Sequence, residues 1–334
     1  MRCDLRIPVL LLLLLAGCAT NPAPSGSPAG GGRSGALAAS VRAHLEFLAS
    51  DALNGRASGT RDEQIAAEYV GAQFRRLGLA SPEGSGGSFV QTIPFTRTRA
   101  GQTQSGTTYN AVGILQGTDA SGEAILISAH LDHLGRRETV QGDDKIFNGA
   151  DDDASGTVAV MELAEALARR GRPKRTVIFA CFGSEESGGF GSGHLREKPP
   201  VPLEKIVAMI QFEMIGRPDD KIPAKTLWLT GYERSDLGPA LAARGARLVQ
   251  DPHPEQSFFT RSDNITFARR GVVAHTVSSY GLHKQYHTPA DETSRVDYAH
   301  MVEAIDSMIK PLTWLANARF KPSWKPGMKP EPGR

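Results

Sequence analysis

Cysteine is scarce: three occur in 334 residues, too few for a disulfide framework. A surplus of either charge is also missing. Lysine and arginine total 38 against 36 aspartate and glutamate, a formal net charge of +2. Without a global basic field, the chain is not built to hold nucleic acid. Glycine (36) and proline (21) are plentiful but follow no triplet period, which excludes a collagen-like chain. No internal repeat is present, and no apolar run is long enough to span a bilayer. The remaining composition is that of an ordinary globular protein. It is 40% apolar and 22% charged, ample for a core and incompatible with general disorder.

The ends of the chain read separately from its body. Arg2 and Arg6 precede an apolar stretch from Ile7 to Ala16, the layout of a secretory signal. The stretch ends in Leu15-Ala16-Gly17-Cys18. This resembles the bacterial lipobox, whose cysteine is lipidated and becomes the first mature residue. Residues 1–17 are therefore expected to be a lipoprotein signal, and Cys18 a lipid anchor to the cell envelope. Ala19, rather than aspartate, follows the cysteine, which by resemblance to Gram-negative lipoprotein sorting favours the outer membrane, facing the periplasm. Residues 18–35, rich in Pro, Gly and Ser, are expected to be a flexible tether. Residues 321–334, where prolines alternate with lysines, are expected to be a disordered basic tail. Cys181 is left alone within the apolar run Thr176 to Phe182, the setting of a buried structural thiol.

Between these ends, residues 36–320 show no second break in composition and read as one domain. Leu37, Val41, Leu45 and Leu48 recur at helical spacing. Thr60 and Glu63 form a capping-box pattern before a second apolar face, and Gly78 is placed to end that helix. Short apolar runs then alternate with helical segments. Tyr109–Leu115 and Ala124–Ala129 flank the turn-like stretch Gly117–Gly122, which suggests a hairpin. Further strands are expected at Thr176–Phe182, Val207–Phe212, Thr226–Leu229 and Val272–Val277. Helices are expected at Ser155–Arg169, Leu237–Arg244, Ile265–Arg270 and Val296–Leu315. The alternation predicts an α/β three-layer sandwich with a mixed, mostly parallel central sheet flanked by helices.

Candidate chemistry lies where these strands end, the usual place for ligands in open α/β sheets. One strand runs into His130 and Asp132, another into Glu185 and Glu186, a third into Glu213, and His287 follows a fourth. Asp151, Asp152 and Asp153 precede a helix between the first two. Singly, each has an ordinary explanation: a core histidine, a helix N-cap, a solvated turn, a surface carboxylate. Together they place two histidines and several carboxylates at one sheet edge, a donor set that suits Zn²⁺ better than Ca²⁺ or Mg²⁺.

These stretches also carry a family resemblance. SAHLDHLG (128–135), NGADDDASG (148–156), GSEESGGFGS (183–192), FEMIG (212–216) and YHTPAD (286–291) occur in order. They resemble the co-catalytic di-zinc aminopeptidases of the aminopeptidase S and aminopeptidase Y type, relatives of glutaminyl cyclases and glutamate carboxypeptidase II. LASDALNGRASGT (48–60) resembles the start of that family. The resemblance implies a zinc-exopeptidase-like fold and peptide substrates. It implies two Zn²⁺, one held by His130 and Glu213, the other by His287 and Glu186, with Asp152 between them. It further implies a cis peptide between Asp152 and Asp153, and an Asp132 that orients His130. Glu185 would be the general base, taking a proton from the attacking water and returning it to the leaving amine, because its neighbour Glu186 is spent on metal. Tyr286 would steady the oxyanion.

One departure bears on substrate class. Many members of the family carry aspartate where this chain has Glu213, and related carboxypeptidases and deacylases often use glutamate there. No arginine motif for a substrate carboxylate stands out, so aminopeptidase is the leading expectation. Carboxypeptidase, acylase or glutaminyl cyclase activity on the same scaffold is the enzymatic alternative. A metal-free binding lipoprotein is the non-enzymatic one, and the full set of ligand-type residues weighs against it. Phe258, Phe259 and Tyr280 are candidates for a specificity pocket. Oligomeric state and the preferred side chain are not encoded in any recognisable motif.

Overall fold

The computed structural model describes residues 32–99 and 101–332. The signal segment, Cys18 and the tether as far as residue 31 lie outside the described residues. The first helix, α1 (Gly32–Leu48), starts inside the segment read as tether and presents Val41, Leu45 and Leu48 to the core. Helix α2 (Arg61–Arg76) opens on Thr60, whose hydroxyl accepts the Glu63 N–H at 3.2 Å. Glu63 reaches back to the Gly59 N–H at 2.6 Å, one residue earlier than a standard capping box.

The remaining elements are β1 (Val90–Arg99), β2 (Gln102–Leu115), β3 (Ala124–His130), β4 (Gly135–Arg136), β5 (Ile146–Phe147), α3 (Gly156–Ala168), β6 (Thr176–Phe182), α4 (Phe190–Glu197), β7 (Ile206–Phe212), β8 (Leu227–Leu229), α5 (Leu237–Ala242), β9 (Leu248–Gln250), α6 (Asn264–Ala268), β10 (Val273–Ser278) and α7 (Tyr298–Asn317). Eight strands form one sheet in the order β1-β2-β6-β3-β7-β10-β8-β9. β6, β3, β7 and β10 run parallel, while β1, β2 and β8 introduce antiparallel pairs.

Period-two alternation splits the strands between two cores. Ile125, Ile127, Val177, Phe179 and Cys181 face the larger core with α1, α2, α3 and α7. Leu126, Ile178, Ala180 and Phe182 face the smaller one with Leu195 of α4 and Phe267 of α6. The expected sandwich with a mixed, mostly parallel sheet is the observed architecture. Cys181 is buried and unpaired, and burial pushes its thiol pKa far up, away from thiolate chemistry.

Two expectations need correction. The segments 109–115 and 124–129 do not form a hairpin. β6 lies between β2 and β3, because the connecting loop crosses the start of β6, where Thr118 N–H is shared by the carbonyls of Pro173 and Lys174. The hairpin partner of β2 is β1. Nor is the C-terminal segment disordered through residue 332. Ser323 caps onto Asp236, with its N–H 2.8 Å from Oδ1. Trp324 packs on Phe259 and His275 and donates to the Gly271 carbonyl at 3.2 Å. One half-buried indole outweighs a solvating Pro/Lys composition.

Candidate metal centre

Parallel strands that share a sheet deliver their C-terminal ends to one side, and here that side carries the chemistry. β3 terminates on His130, β6 leads into Glu185 and Glu186, β7 into Glu213, and the loop after β10 brings in His287. Three non-glycine residues with left-handed φ flank or form the site: Ser184 (60°), Met214 (53°) and His287 (53°). Backbone in this region is adopted only where its surroundings enforce it.

The turn Ala150–Ser155 lies under the strand ends and contains a cis peptide between Asp152 and Asp153. The three aspartates have separate partners. Asp153 faces inward and accepts the N–H groups of His130 (3.2 Å), Gly156 (2.9 Å) and Met214 (3.1 Å), tying β3, α3 and the end of β7 together. A Cβ at Gly156 would lie 2.4 Å from an Asp153 oxygen and from the Phe212 carbonyl, so only glycine fits there. Asp151 accepts the Gly216 N–H at 2.7 Å and meets His283 Nε2 at 2.8 Å.

Asp152 stands in the middle, 2% exposed, with its two oxygens aimed at different partners. Oδ1 lies 3.2 Å from His130 Nε2. Oδ2 lies 3.1 Å from His287 Nε2 and 3.8 Å from His133 Nδ1. Glu186 Oε1 lies 3.0 Å from both His287 Nε2 and His133 Nδ1. Glu213 lines the same cleft, and burial raises its pKa to about 7 against the pull of His130. All the residues expected to hold metal are thus brought together, and His133 joins them unannounced. It is only three positions after His130, and the second histidine of the HLDH stretch was the available signal.

The group is a donor set without internal satisfaction. His130 Nε2, both ring nitrogens of His133, Asp152 Oδ2, Glu186 Oε1 and Glu213 Oε2 are buried and make no hydrogen bond. Buried polar atoms carry a heavy cost when left unpaired. Imidazole nitrogens converging with carboxylate oxygens at about 3–4 Å match the spacing of ligands on a dication with bonds of about 2.0–2.2 Å. The residues fit zinc.

Asp132 is placed beside His130. His130 Nδ1 lies 3.1 Å from the main-chain carbonyl of Asp132 and 3.8 Å from its carboxylate. The carboxylate instead accepts the Ser58 hydroxyl (2.6 Å) and the Glu185 N–H (2.9 Å). It therefore anchors the segment that carries Glu185. Glu185 is held well above the ordinary carboxylate range by burial and by the carboxylates of Glu213, Asp263 and Glu186, against the pull of His130. Tyr286 stacks on the His287 ring with centroids 3.8 Å apart, and burial beside Asp152 and Glu186 pushes its hydroxyl pKa far up.

A cleft opens over these residues. Its apolar wall consists of Met214, Trp228, Phe258 and Tyr280. Trp228 and Phe258 stack with centroids 5.3 Å apart, and Tyr280 meets Phe258 edge-on. Phe259, expected beside them, points instead to the smaller core and Trp324. Arg261 also lines the cleft, its guanidinium 5.0 Å from the Phe258 ring centre. It pairs with no carboxylate among the described residues, and no sequence motif marked it.

Arg56 is a further residue that sequence reading quoted without assigning a task. It is 1% exposed and has φ 46°. Its guanidinium donates to the carbonyls of Leu131 (2.9 Å), Asn148 (2.7 Å), Gly149 (3.1 Å) and Leu48. It thereby fixes the HLDH and NGADDD segments against each other. Burial lowers its pKa to about 10, which leaves it charged at neutral pH.

Comparison with known proteins places these features in context. The sequence profile of peptidase family M28 matches residues 110–311. A probable zinc metalloprotease of Leptosphaeria maculans is 33% identical over 107 residues, 32% of this chain and 24% of that protein. Leupeptin-inactivating enzyme 1 of Streptomyces exfoliatus is 29% identical over 187 residues, 54% of this chain and 36% of that protein. The chain thus spans about a quarter to a third of the length of these relatives. A zinc aminopeptidase from Bacillus subtilis shares the fold, with a TM-score of 0.64 at 16% identity over 85% of this chain and 96% of that one.

Proposed function

Because this chain belongs to peptidase family M28, we propose that it is a zinc-dependent exopeptidase, an aminopeptidase that removes N-terminal residues from peptides. The observation that carries the reading is the divided carboxylate of Asp152, with one oxygen toward His130 and the other toward His287. A carboxylate so placed suits two cations, one on each side. His130 and Glu213 would complete the first position, and His287 and Glu186 the second. When bound, two zinc ions supply Lewis-acid polarisation of the scissile carbonyl and a lowered water pKa.

The chain's own residues do the rest. Glu185, whose pKa burial raises, binds a proton more readily than an ordinary carboxylate, which suits a group that takes a proton from water and returns it to the leaving amine. Asp132, gripping the Glu185 N–H, holds that group in position. Tyr286 keeps its phenolic proton at all physiological pH values and so remains a donor for a developing oxyanion. The wall of Trp228, Phe258 and Tyr280 excludes water and favours an apolar or aromatic side chain in the substrate.

A second reading is favoured by Arg261 and Glu213: a cation without a carboxylate partner in the cleft suits a substrate that carries a carboxylate. The test is a comparison of aminoacyl-anilides with acylated and carboxyl-terminal substrates in the presence of zinc. Hydrolysis of the free-amine substrates alone supports the aminopeptidase. Preference for carboxyl-terminal substrates, lost in Arg261→Ala, would replace it. The proposal extends to location. Cys18 would carry lipid and hold the enzyme at the outer membrane, facing the periplasm, and Cys18→Ser would then release the protein from the membrane fraction.

A further inference from the structure

We infer that His133 is itself a metal ligand, so that one of the two metal positions has two imidazoles and the other has one. The inference rests on the proposed two-zinc reading of this site and adds to it a residue and an asymmetry. His133 is 1% exposed; its Nε2 has no polar partner among the described residues, and its Nδ1 meets only carboxylate oxygens, without hydrogen-bond geometry. A core histidine of the ordinary kind bonds a carbonyl or hydroxyl, as His275 does with Thr230 and Ser235. His133 has neither.

Its surroundings fix where the ring lies. The His133 N–H donates to the Arg56 carbonyl at 3.2 Å. The ring lies against Gly149, where a Cβ would come within 2.5 Å of the imidazole Cγ. The His287 ring stands edge-on to it, with centroids 5.6 Å apart and planes at 72°. From that seat Nδ1 reaches Glu186 Oε1 (3.0 Å) and Asp152 Oδ2 (3.8 Å), the two oxygens that His287 Nε2 also approaches. Both oxygens are buried and unsatisfied. Two nitrogens and two carboxylate oxygens so close to one another offer four donors, the number a structural zinc takes.

The other position has fewer donors: His130, the second oxygen of Asp152, and Glu213. Four protein ligands make a closed site, and three leave a place open. The His133 position therefore keeps its zinc longer under chelation, and the His130 position exchanges first.

Zinc K-edge X-ray absorption on the full chain, stripped with a chelator and given one equivalent of zinc, reads this without any variant. The expected spectrum fits two imidazoles per zinc. Competition titration with a zinc chelator then compares wild type with His133→Phe, which fills the same space. The tighter site should weaken by at least about 100-fold, while the weaker site is unchanged. A spectrum with one imidazole per zinc at that single equivalent, or an unaltered tight site in His133→Phe, overturns the inference and leaves the two-zinc reading standing. No zinc uptake by wild type overturns both.

Discussion

The carboxylate of Asp291 accepts the main-chain N–H of Asp152 at 3.0 Å and that of Asp151 at 3.0 and 3.2 Å, across about 140 positions of sequence. The last motif, YHTPAD, therefore does two jobs. It supplies His287 and, four residues later, the acceptor that fixes the backbone on which Asp152 is mounted. Asp291→Leu should leave those N–H groups buried and unpaired, lowering zinc affinity by about 10–100-fold although Asp291 touches no metal position. Asp291→Asn, which retains one carbonyl acceptor, should fall between. Zinc titrations on both variants check this, and an unchanged affinity in Asp291→Leu would remove Asp291 from the account.

Arg56 is expected to contribute more to stability than its place in a loop suggests. Arg56→Met removes the donors to four buried carbonyls, and the predicted loss is at least about 3 kcal/mol in urea unfolding. Arg56→Lys keeps the charge but not the planar fork, so it should recover only part of that. Full stability in Arg56→Met would show that water replaces the guanidinium.

His275 should make stability depend on pH between about 4 and 6.5. It is fully buried beside Phe259 and Trp324, and burial lowers its pKa to about 4. Nδ1 donates to the Thr230 carbonyl at 2.7 Å, so Nε2 accepts the Ser235 hydroxyl at 2.8 Å and the ring is neutral. An unfolded chain takes up this proton near pH 6.5, whereas the folded one resists until about pH 4. The contribution is complete above pH 6.5 and is lost as pH falls, by roughly 3 kcal/mol in total. Unfolding midpoints measured across that range should fall in wild type and flatten in His275→Gln. Identical slopes in the two proteins would count against it.

How much of this was legible in the sequence follows from what each signal depends on. The buried parallel strands were readable because continuous apolar runs such as Thr176–Phe182 leave no alternative, and their ends pointed to the site. Pairing was less readable. Nothing local in Tyr109–Leu115 says that β6 will insert beside it, since β6 arrives about 60 residues later. The tail was misread because composition averages over Trp324, whose single indole decides the outcome by contacts with residues far away. His133 lacks a signal of its own, because its partners Asp152 and Glu186 lie 19 and 53 positions further on, and Arg56 lacks one because a buried arginine that serves only carbonyls has no sequence signature. Asp132 shows the opposite limit: the right residue was singled out, but its carboxylate holds Glu185 while its carbonyl meets His130.

The central claim is that one carboxylate serves two metal positions. Zinc content per chain, measured after equilibration of wild type and Asp152→Asn with zinc, tests it most directly. Wild type should retain two zinc ions, and Asp152→Asn should lose affinity at both positions and hydrolyse aminoacyl-anilides negligibly. Retention of one position at undiminished affinity in Asp152→Asn, or a wild-type chain that takes up no zinc, would contradict it.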